Sequence, residues 1–534
     1  MKSSNNIGVN MEYWWILLST TIVGTLGAIH YLCRNYNFFQ RRGVIYIPPV
    51  PILGAMMPVI FRRISFADFI RKLYNFNPDA KYYGFYATTN PVILLRDLEL
   101  IKAVLVKNFE AFPDRPSFID SNEFLVTQNL FSLHGEKWRN MRNLLSSCFT
   151  SGKIKTMFAL MSECAVNFTN SLSTLLTNNN GSVDMKDHFT KYTNDVIAIC
   201  VYGIKVDSMK DSTNKFYAYG KDISETNITK LVFFRTFPRL WRILNLKLIN
   251  KRISNFFENI IRVTLAARDV EHVVHSDMIQ LMMNIRDKEG RRKLNIDEIA
   301  AQIFFFFLGG FETSSTTLSF AAYEIATNPK VQTRLRQEID KILEESNSGE
   351  VTYETINRLE YLDAVVNEVL RFYPPTFLER VCDKSYELPP ALPGEKPFVM
   401  KKGTICWIPV FAIHRDEKYY EDPDRFYPER FLNNKTYHNS FRYMSFGLGP
   451  RMCLGNRFAI LKIKLLLFYL LARCELKPCA KTIIPLRFSK KDLLMKPEGG
   501  FWLNVQRRDN NTYPTSKARS CDESATVQER KELT

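Results

Sequence analysis

Hydrophobic positions along the chain form long runs, most with helical spacing, separated by short polar or proline-rich segments. The first run, YWWILLSTTIVGTLGAIHYL at 13–32, has no ionisable side chain in its interior other than His30 and is long enough to cross a bilayer. Three arginines follow it within ten residues. By the positive-inside rule, this pattern predicts one membrane anchor with the rest of the chain on the cytoplasmic side. A cleaved signal peptide is the alternative, although the run is longer than a usual signal region.

Changes in composition divide the chain into five predicted parts. Prolines in IPPVPILG, just after the basic residues, predict a stiff extended spacer. The tail beyond Arg507 is polar and poor in large apolar residues, which is typical of disorder. The parts are a short lumenal segment (1–12), a transmembrane signal-anchor (13–33), a basic and proline-rich linker (34–54), one large folded domain (55–507) and a disordered tail (508–534).

Helical patterning predominates in the folded domain, with strand-like stretches at 81–87, 91–97 and 403–413. The predicted class is therefore mainly α with small β-sheets. Residues 299–326 are apolar but contain polar groups and a glycine pair, which favours a helix buried in protein over a second membrane span. Residues 228–249 interleave aromatic and basic side chains, and they predict either a surface that dips into a membrane interface or an ordinary amphipathic helix.

Net charge and cysteine usage limit the possible partners and the compartment. The chain has 534 residues and a formal charge of +17, which favours anionic partners. It lacks zinc-finger spacing and the aromatic signature of RNA-binding domains, so no nucleic-acid partner is predicted. Its ten cysteines include no Cys-x-x-Cys pair, which argues against a disulfide framework or structural zinc and indicates a reducing compartment.

Four separated motifs carry the candidate chemistry. The segment FGLGPRMCLGNRFA places Cys453 among glycines, just before an apolar helical run. In NEVLRFYPP, Glu368 and Arg371 stand three residues apart and can pair on one helix face. Arg430 lies in DPDRFYPERF, where a half-buried guanidinium needs a carboxylate partner. In HGEKWRNMR, a tryptophan and an arginine stand one helical turn apart.

Together these motifs resemble the cytochrome P-450 family over nearly the whole chain, from the apolar N-terminal run to about residue 505. The signature Phe-x-x-Gly-x-Arg-x-Cys-x-Gly is matched in full at 446–455, and the oxygen-binding pattern Gly-Gly-x-Glu-Thr at 309–313. The segments RRGVIYIPPVPILG, YNFNPDAKYYGFY and FLERVC are similar to insect microsomal members that metabolise xenobiotics. The further matches are Glu-x-x-Arg at Glu368 and Arg371, Pro-Glu-Arg-Phe at 428–431, and Trp-x-x-x-Arg at Trp138 and Arg142.

The resemblance implies one cofactor, heme b (iron protoporphyrin IX). Cys453 would be the axial thiolate ligand of its iron, and the positive end of the following helix is expected to favour that thiolate. Arg115 lies near a propionate-binding position of some relatives, but the favoured prediction for it is a solvated loop arginine. The other residues implied around the cofactor are Phe446, Gly449 and Gly455 in the cysteine loop, and Trp138, Arg142, Arg380 and Arg451 as partners of the propionates.

On the oxygen side, the resemblance implies that Gly309 and Gly310 leave room beside the iron. Glu312 and Thr313 would deliver protons as an acid and a hydroxyl relay. The alternative for Thr313 is a hydroxyl that only bonds its own helix. The implied structural network behind the cysteine loop consists of Glu368, Arg371 and Arg430.

The implied activity is that of a cytochrome P-450 monooxygenase, an oxidoreductase of EC class 1.14. It would oxidise hydrophobic small molecules, such as insecticides or plant toxins, on the cytoplasmic face of the endoplasmic reticulum. An endogenous hormone, fatty acid or pheromone as substrate, and a non-catalytic heme-binding protein, remain alternatives. Electrons would come from NADPH through a flavoprotein reductase, with cytochrome b5 as a second donor.

Several surfaces are expected to meet substrate and reductase. One or two of the four phenylalanines 304–307 should face the substrate pocket, because consecutive helical positions point in different directions. Similarity assigns further pocket segments at 117–131, 374–379 and 494–500. The candidates for reductase docking are the basic residues Lys137, Arg139 and Arg442.

Overall fold

The fold is mainly helical with three small sheets, as the sequence predicts. The computed structural model describes residues 5–116, 121–178, 182–224, 228–271, 275–287, 294–345, 351–432 and 440–508. The disordered tail predicted at 508–534 lies outside these ranges except for its first residue, as does 117–120 of the first pocket segment.

Helices account for most of the described chain, and their bounds follow in chain order. The α-helices are α1 Asn5–Cys33, α2 Met57–Ile60, α3 Phe66–Tyr74, α4 Leu98–Lys102, α5 Phe124–Thr127, α6 Gly135–Ser146, α7 Ser151–Thr156, α8 Phe158–Asn178, α9 Met185–Ile197, α10 Lys215–Ser224, α11 Ile228–Thr236, α12 Pro238–Ile243, α13 Lys251–Glu271, α14 Met278–Arg286, α15 Ile296–Thr327, α16 Pro329–Glu345, α17 Tyr353–Arg358, α18 Glu360–Phe372, α19 Val410–Ile413 and α20 Asn456–Arg473. Short 3-10 turns or π turns occupy Gln40–Arg42, Ala103–Lys107, Phe109–Ala111, Ser147–Phe149, Ala198–Tyr202 and Pro428–Phe431.

The described strands form sheets of four, three and two strands. The four-stranded sheet has the order β1-β2-β7-β4, in which only β2 and β7 run parallel. The other sheets have the orders β3-β9-β8 and β5-β6, both antiparallel. The strands are β1 Tyr82–Ala87, β2 Asn90–Leu95, β3 Ser182–Asp184, β4 Leu378–Val381, β5 Tyr386–Leu388, β6 Phe398–Met400, β7 Ile405–Ile408, β8 Cys474–Lys477 and β9 Trp502–Arg507.

The strand predicted at 403–413 is shorter than expected, and its second half is helical. Strand β7 ends at Ile408, and Val410–Ile413 form α19. Pro409 separates them because proline cannot donate a backbone hydrogen bond to a sheet. The strands predicted at 81–87 and 91–97 are present as β1 and β2.

The buried apolar side chains form two clusters. The larger lies among the long helices, including α8, α9, α15, α18 and α20. The smaller lies between the four-stranded sheet, α3 and the chain around α4. Helix α15 crosses the larger cluster, and most of its residues are buried. This matches the prediction of a helix buried in protein at 299–326.

The sequence at its ends explains where α15 begins and stops. Asn295 accepts the backbone N–H of Glu298, and the Glu298 side chain accepts the backbone N–H of Asn295, which is a capping box. The helix ends at Thr327, two residues before Pro329, which is the first residue of α16. It runs unbroken through the glycine pair at 309–310, which divides the apolar run in the sequence.

The N-terminal run lies in α1, a helix of 29 residues. Among the described residues, no helix combines the length and the hydropathy that crossing a membrane requires. The transmembrane anchor predicted at 13–33 is therefore not confirmed.

The segment 228–249 forms two short helices, α11 and α12, whose aromatic side chains differ from the membrane-surface prediction. Phe234 and Trp241 are buried and pack against each other with ring centroids 5.3 Å apart. The exposed apolar side chains of this segment are instead aliphatic, with Ile243 and Leu244 the most exposed.

Candidate active site

Hydrogen bonds within the chain hold the cysteine loop, residues 446–455, in a tight turn. The Cys453 N–H donates to the Phe446 carbonyl over 2.9 Å, and the Met452 N–H donates to the Gly449 carbonyl over 3.0 Å. Gly449 has a φ of +71°, and a Cβ there would lie 2.0 Å from the carbonyl oxygen of Leu105. The protein itself therefore requires glycine at position 449.

Gly455 differs from Gly449, because the protein leaves space beside it. Its φ of −91° suits any residue. The nearest atom to a Cβ built there is Cε1 of Phe149, at an ordinary contact distance of 3.5 Å. Glycine at 455 therefore has no explanation in the packing of the described residues, which fits a site kept open for a ligand next to Cys453.

The Cys453 side chain remains exposed although protein surrounds most of it. Burial raises the pKa of its thiol above the ordinary value, while the backbone N–H of Gly455 and the guanidinium groups of Arg142 and Arg115 act in the opposite direction. The sequence predicts that the start of α20 favours the thiolate. The Gly455 N–H has that influence on the pKa, and burial has the larger, opposite influence.

Four arginines converge near Cys453. Burial and the neighbouring Arg380 lower the pKa of Arg115 to about 9. Burial and Arg451 lower the pKa of Arg380 to about 10. Arg451 itself has a pKa of about 9 from burial and from Arg115, and burial lowers the pKa of Arg142. Buried cations that depress one another's pKa require an anion.

Protein acceptors and carboxylates bind only some of the donors on these four arginines. Arg451 is buried and donates to Asp114 over 2.7 Å and to the carbonyls of Pro113 and Leu133. Its guanidinium also stacks on the ring of Trp138, 4.1 Å from the centroid. These contacts show Arg451 and Trp138 as a packed pair in which Asp114, missed in the sequence, supplies the carboxylate.

Arg380 and Arg142 retain unused donors. The Nε of Arg380 is buried and has no hydrogen-bond partner in the part of the chain that the structure describes, and Arg380 itself is 1% exposed. Among the described residues, none accepts a hydrogen bond from Arg142, which is half-buried. Arg115, for which the sequence favours a solvated loop, belongs instead to the cluster, because it donates to the Arg451 carbonyl over 3.1 Å and stacks on Phe131. A dianionic cofactor such as heme, with two propionates, fits this donor set.

One face of α15 is open within the protein. After its first turn, the only fully exposed positions of this helix are Gly309 and Thr313, which stand one turn apart on the same face. A Cβ at Gly309 would meet no atom within 4 Å. The Thr313 hydroxyl donates to the Gly309 carbonyl over 2.5 Å, so it makes the bond to its own helix that was the alternative reading, while still lying on the open face.

Gly310 has a different role from Gly309. A Cβ at Gly310 would lie 2.8 Å from Cδ1 of Ile197, at the end of α9. Glycine is needed here so that α9 and α15 can pack closely, rather than to leave room on the open face. The resemblance implied one role for both glycines, and the structure separates them.

Aromatic contacts connect the open face of α15 with the arginines and the cysteine loop. Phe305 lies 5.9 Å from Phe131, which carries Arg115 on its ring. Phe306 lies 5.1 Å from Phe149, the neighbour of Gly455. The other two phenylalanines of 304–307, Phe304 and Phe307, are buried in the core. This leaves Phe305 and Phe306 as the two that can face a pocket, in line with the predicted number.

Glu312 lies on a different side of α15 from Thr313 and is held by lysines. Its carboxylate is 3.0 Å from Nζ of Lys186 and 3.8 Å from Nζ of Lys496. Lys186 also donates to the hydroxyls of Ser315 and Thr316, and burial lowers its pKa to about 8. Neither lysine was found from the sequence, since each belongs to a distant segment and has no motif of its own.

The predicted network of Glu368, Arg371 and Arg430 is present and buried. Glu368 accepts two hydrogen bonds from Arg371, over 2.7 and 2.8 Å, and one from Arg430 over 3.1 Å. Arg371 also donates to the carbonyls of His414 and Pro423. Each guanidinium thus has a carboxylate and several carbonyl acceptors, which buried charges need.

His414 connects this network to the cysteine loop and was missed in the sequence. Its Nε2 accepts the backbone N–H of Met444, two residues before Phe446, and its Nδ1 lies 3.1 Å from the Arg371 carbonyl. Burial and the adjacent Arg371 lower the pKa of His414 to about 3, so the ring is neutral. These bonds require the tautomer protonated on Nδ1.

The candidate docking residues differ in availability. Lys137 and Arg139 are exposed on α6, and Arg139 pairs with Glu110 over 2.6 Å. Arg442 is half-buried and donates to the Tyr419 carbonyl. It therefore supports the loop before the cysteine rather than offering a free charge.

Comparison with known proteins gives a consistent result. The cytochrome P450 family model matches residues 46–504. The chain is 40% identical to cytochrome P450 9e2 of Blattella germanica, covering 94% of this chain and all of that protein. It is 35% identical to probable cytochrome P450 9f2 of Drosophila melanogaster, covering 89% and 96% of the two chains, and 35% identical to cytochrome P450 6j1 of Blattella germanica, covering 90% and 95%. The chain belongs to the cytochrome P450 family, monooxygenases of the oxidoreductase class that bind heme b through a cysteine thiolate.

Proposed function

We propose that this protein oxidises lipophilic small molecules, including xenobiotics such as insecticides and plant toxins, with electrons from NADPH delivered by a flavoprotein reductase. One oxygen atom of O2 enters the substrate and the other leaves as water. The observation that carries this proposal is the open face of α15, where Gly309 and Thr313 are exposed in the middle of a helix whose residues are mostly buried. Phe305 and Phe306 extend this face with apolar surface, which suits a lipophilic ligand.

Cys453, Arg115, Arg142 and Arg380 are the residues that we propose hold the cofactor. Heme, when bound, supplies the redox chemistry that activates dioxygen. The unused donors on Arg142 and Arg380 would bind its propionates, and the space beside Gly455 would leave room for the cofactor next to Cys453. Negative charge at this place also reverses the mutual repulsion that depresses the arginine pKa values.

Protons reach the open face along two side chains of α15. Lys186, with a pKa near 8, exchanges a proton with solvent and is paired with Glu312. The Thr313 hydroxyl donates its one hydrogen to the Gly309 carbonyl, so it must release that bond and rotate before it can donate a proton on the open face, while its oxygen lone pairs accept the replacement proton. In this proposal Lys186 passes a proton to the Glu312 carboxylate, which acts as the acid, and Thr313 is the donor on the open face.

The same proposal places the protein on the endoplasmic reticulum membrane through α1. Tyr13, Trp14 and Trp15 are each about two-thirds exposed or more, and Val23 and Leu26 behind them are similarly exposed. Exposed apolar side chains at this density indicate contact with lipid. Ile243 and Leu244 of the α12 segment offer a second apolar contact near basic residues.

The experiment measures the absorption spectrum of the reduced, carbon monoxide-bound protein and then its turnover. The wild type is expected to give the spectrum of a thiolate-ligated heme, and Cys453→Ala to lose it. With NADPH and reductase, the wild type should convert members of a lipophilic panel that contains both xenobiotics and endogenous lipids. An imidazole-type spectrum, or NADPH consumption with no oxygenated product from any compound, would overturn the proposal.

Removal of residues 1–33 tests the membrane part separately. The truncated protein is expected to leave the membrane fraction at high salt while keeping its spectrum. Complete retention on the membrane would assign the attachment to the folded domain instead of α1.

A further inference from the structure

Lys462 is a buried cation in the middle of α20, nine residues after Cys453. It is 0% exposed. Its Nζ donates to the carbonyl oxygen of Gly310 over 2.9 Å, the single acceptor that the described residues offer it. An ammonium group has three N–H donors, and leaving donors unpaired in the core costs free energy.

The surroundings of Lys462 favour an apolar side chain. Its Nζ lies 5.6 Å from the centroid of the Phe458 ring, one turn earlier on the same helix. The ionisable group that faces Lys462 is the Cys200 thiol, in the π turn Ala198–Tyr202 that follows α9. Burial raises the pKa of this thiol. Burial lowers the pKa of Lys462 to about 7. Replacing such a buried charge by an apolar residue of similar volume is often neutral or stabilising, so stability does not explain a lysine here.

The hydrogen bond of Lys462 connects two helices that both contribute to the candidate active site. It joins α20, which begins just after the cysteine loop, to α15 at the glycine pair. The preceding carbonyl, that of Gly309, accepts the Thr313 hydroxyl. Two consecutive carbonyls of α15 therefore receive side-chain donors. Ile197 packs on the same turn, because a Cβ at Gly310 would lie 2.8 Å from its Cδ1 and 3.7 Å from Nζ of Lys462.

We propose that Lys462 is a positioning residue for oxygen activation: its bond to the Gly310 carbonyl fixes the turn from Gly309 to Thr313 relative to the helix that carries the cysteine ligand. This rests on the proposed role of Thr313 as a proton donor. If the turn shifts, proton delivery no longer keeps pace with electron delivery. Each failed turnover then consumes one NADPH, one proton and one O2, and releases NADP+ and hydrogen peroxide in place of oxygenated product.

The test compares Lys462→Met with Lys464→Met in the reconstituted, heme-loaded protein. Lys464 is also buried, but it pairs with Asp363 of α18 over 3.2 Å and does not bond to α15. Lys462→Met is expected to keep its heme content, its carbon monoxide spectrum and its thermal midpoint, while product per NADPH falls about three- to tenfold and peroxide rises to match. Lys464→Met should show the reverse pattern, with a lower thermal midpoint and unchanged product per NADPH.

Unchanged coupling in Lys462→Met would overturn the inference, as would a loss of coupling that merely accompanies a loss of stability. Lys462→Gln is measured beside it, and failure of both variants to fold with heme would show that Lys462 is structural. The proposed function fails separately, if the wild type itself forms no NADPH-dependent product.

Discussion

Alanine at the two neighbouring glycines of α15 should have opposite effects on stability. A Cβ at Gly309 would meet no atom, whereas a Cβ at Gly310 would lie 2.8 and 3.3 Å from Cδ1 and Cγ1 of Ile197. Both positions lie in the interior of the same helix. The pair therefore separates the intrinsic preference of a helix for alanine from the cost of overfilling a core.

The magnitudes follow from these distances. Gly309→Ala gains the helix preference for alanine over glycine, about 1 kcal/mol, with no opposing contact. Gly310→Ala gains the same amount but forces the fully buried Ile197 to move, and overpacking of this kind costs about 1–3 kcal/mol. We expect the free energy of unfolding to rise by about 0.5–1 kcal/mol in the first variant and to fall by up to about 2 kcal/mol in the second.

Urea-induced unfolding of the heme-loaded proteins, followed by circular dichroism, measures both changes. Catalysis should be impaired in Gly309→Ala even though this variant is more stable, because its new methyl group occupies the open face beside Thr313. Product per NADPH is expected to fall at least several-fold in this more stable variant. If Gly309→Ala is instead destabilised as much as Gly310→Ala, the face beside Gly309 is not open and the reasoning fails.

Three further changes test the network, a buried carboxyl and a loop contact. Glu368→Gln leaves two buried guanidinium groups without a carboxylate, so stability should fall by about 3–5 kcal/mol with loss of heme content; retention of both would contradict the network. Asp195 has a pKa raised to about 7 by burial, so the folded state holds its proton more tightly than the unfolded state, and stability falls as pH rises from about 4 to 7; Asp195→Asn should remove that loss in pH-dependent unfolding. Glu123 accepts the backbone N–H groups of 248 and 249 over 2.6 and 2.8 Å, so Glu123→Gln should accelerate hydrogen exchange there, whereas unaltered exchange would show that the contact is unimportant.

Features with a local sequence pattern were predictable. The cysteine loop, the Glu-x-x-Arg pair and strands β1 and β2 each depend on residues close together in the chain. The burial of α15 also followed from the polar groups within its apolar run. In these cases, local geometry and amphipathic spacing determine the structure.

Features made by distant residues were not predictable in the same way. Lys186, Lys496 and His414 each meet the site from separate segments, and none stands in a pattern that distinguishes it from an ordinary residue. The different roles of Gly309 and Gly310 depend on where Ile197 of α9 packs, which the sequence around the glycines does not contain. The helix start that lowers the pKa of Cys453 is visible in the sequence, whereas the burial that raises this pKa is not.

The arginine cluster also bears on the life of the protein before it acquires its cofactor. Arg115, Arg380 and Arg451 depress one another's pKa values in the heme-free fold, so that fold carries an electrostatic penalty. A ligand that binds only the folded state raises its stability by mass action, and here it also neutralises the repelling charges. Heme supply should consequently control how much of this protein accumulates in a cell, since molecules that lack it unfold more readily and are cleared by proteases.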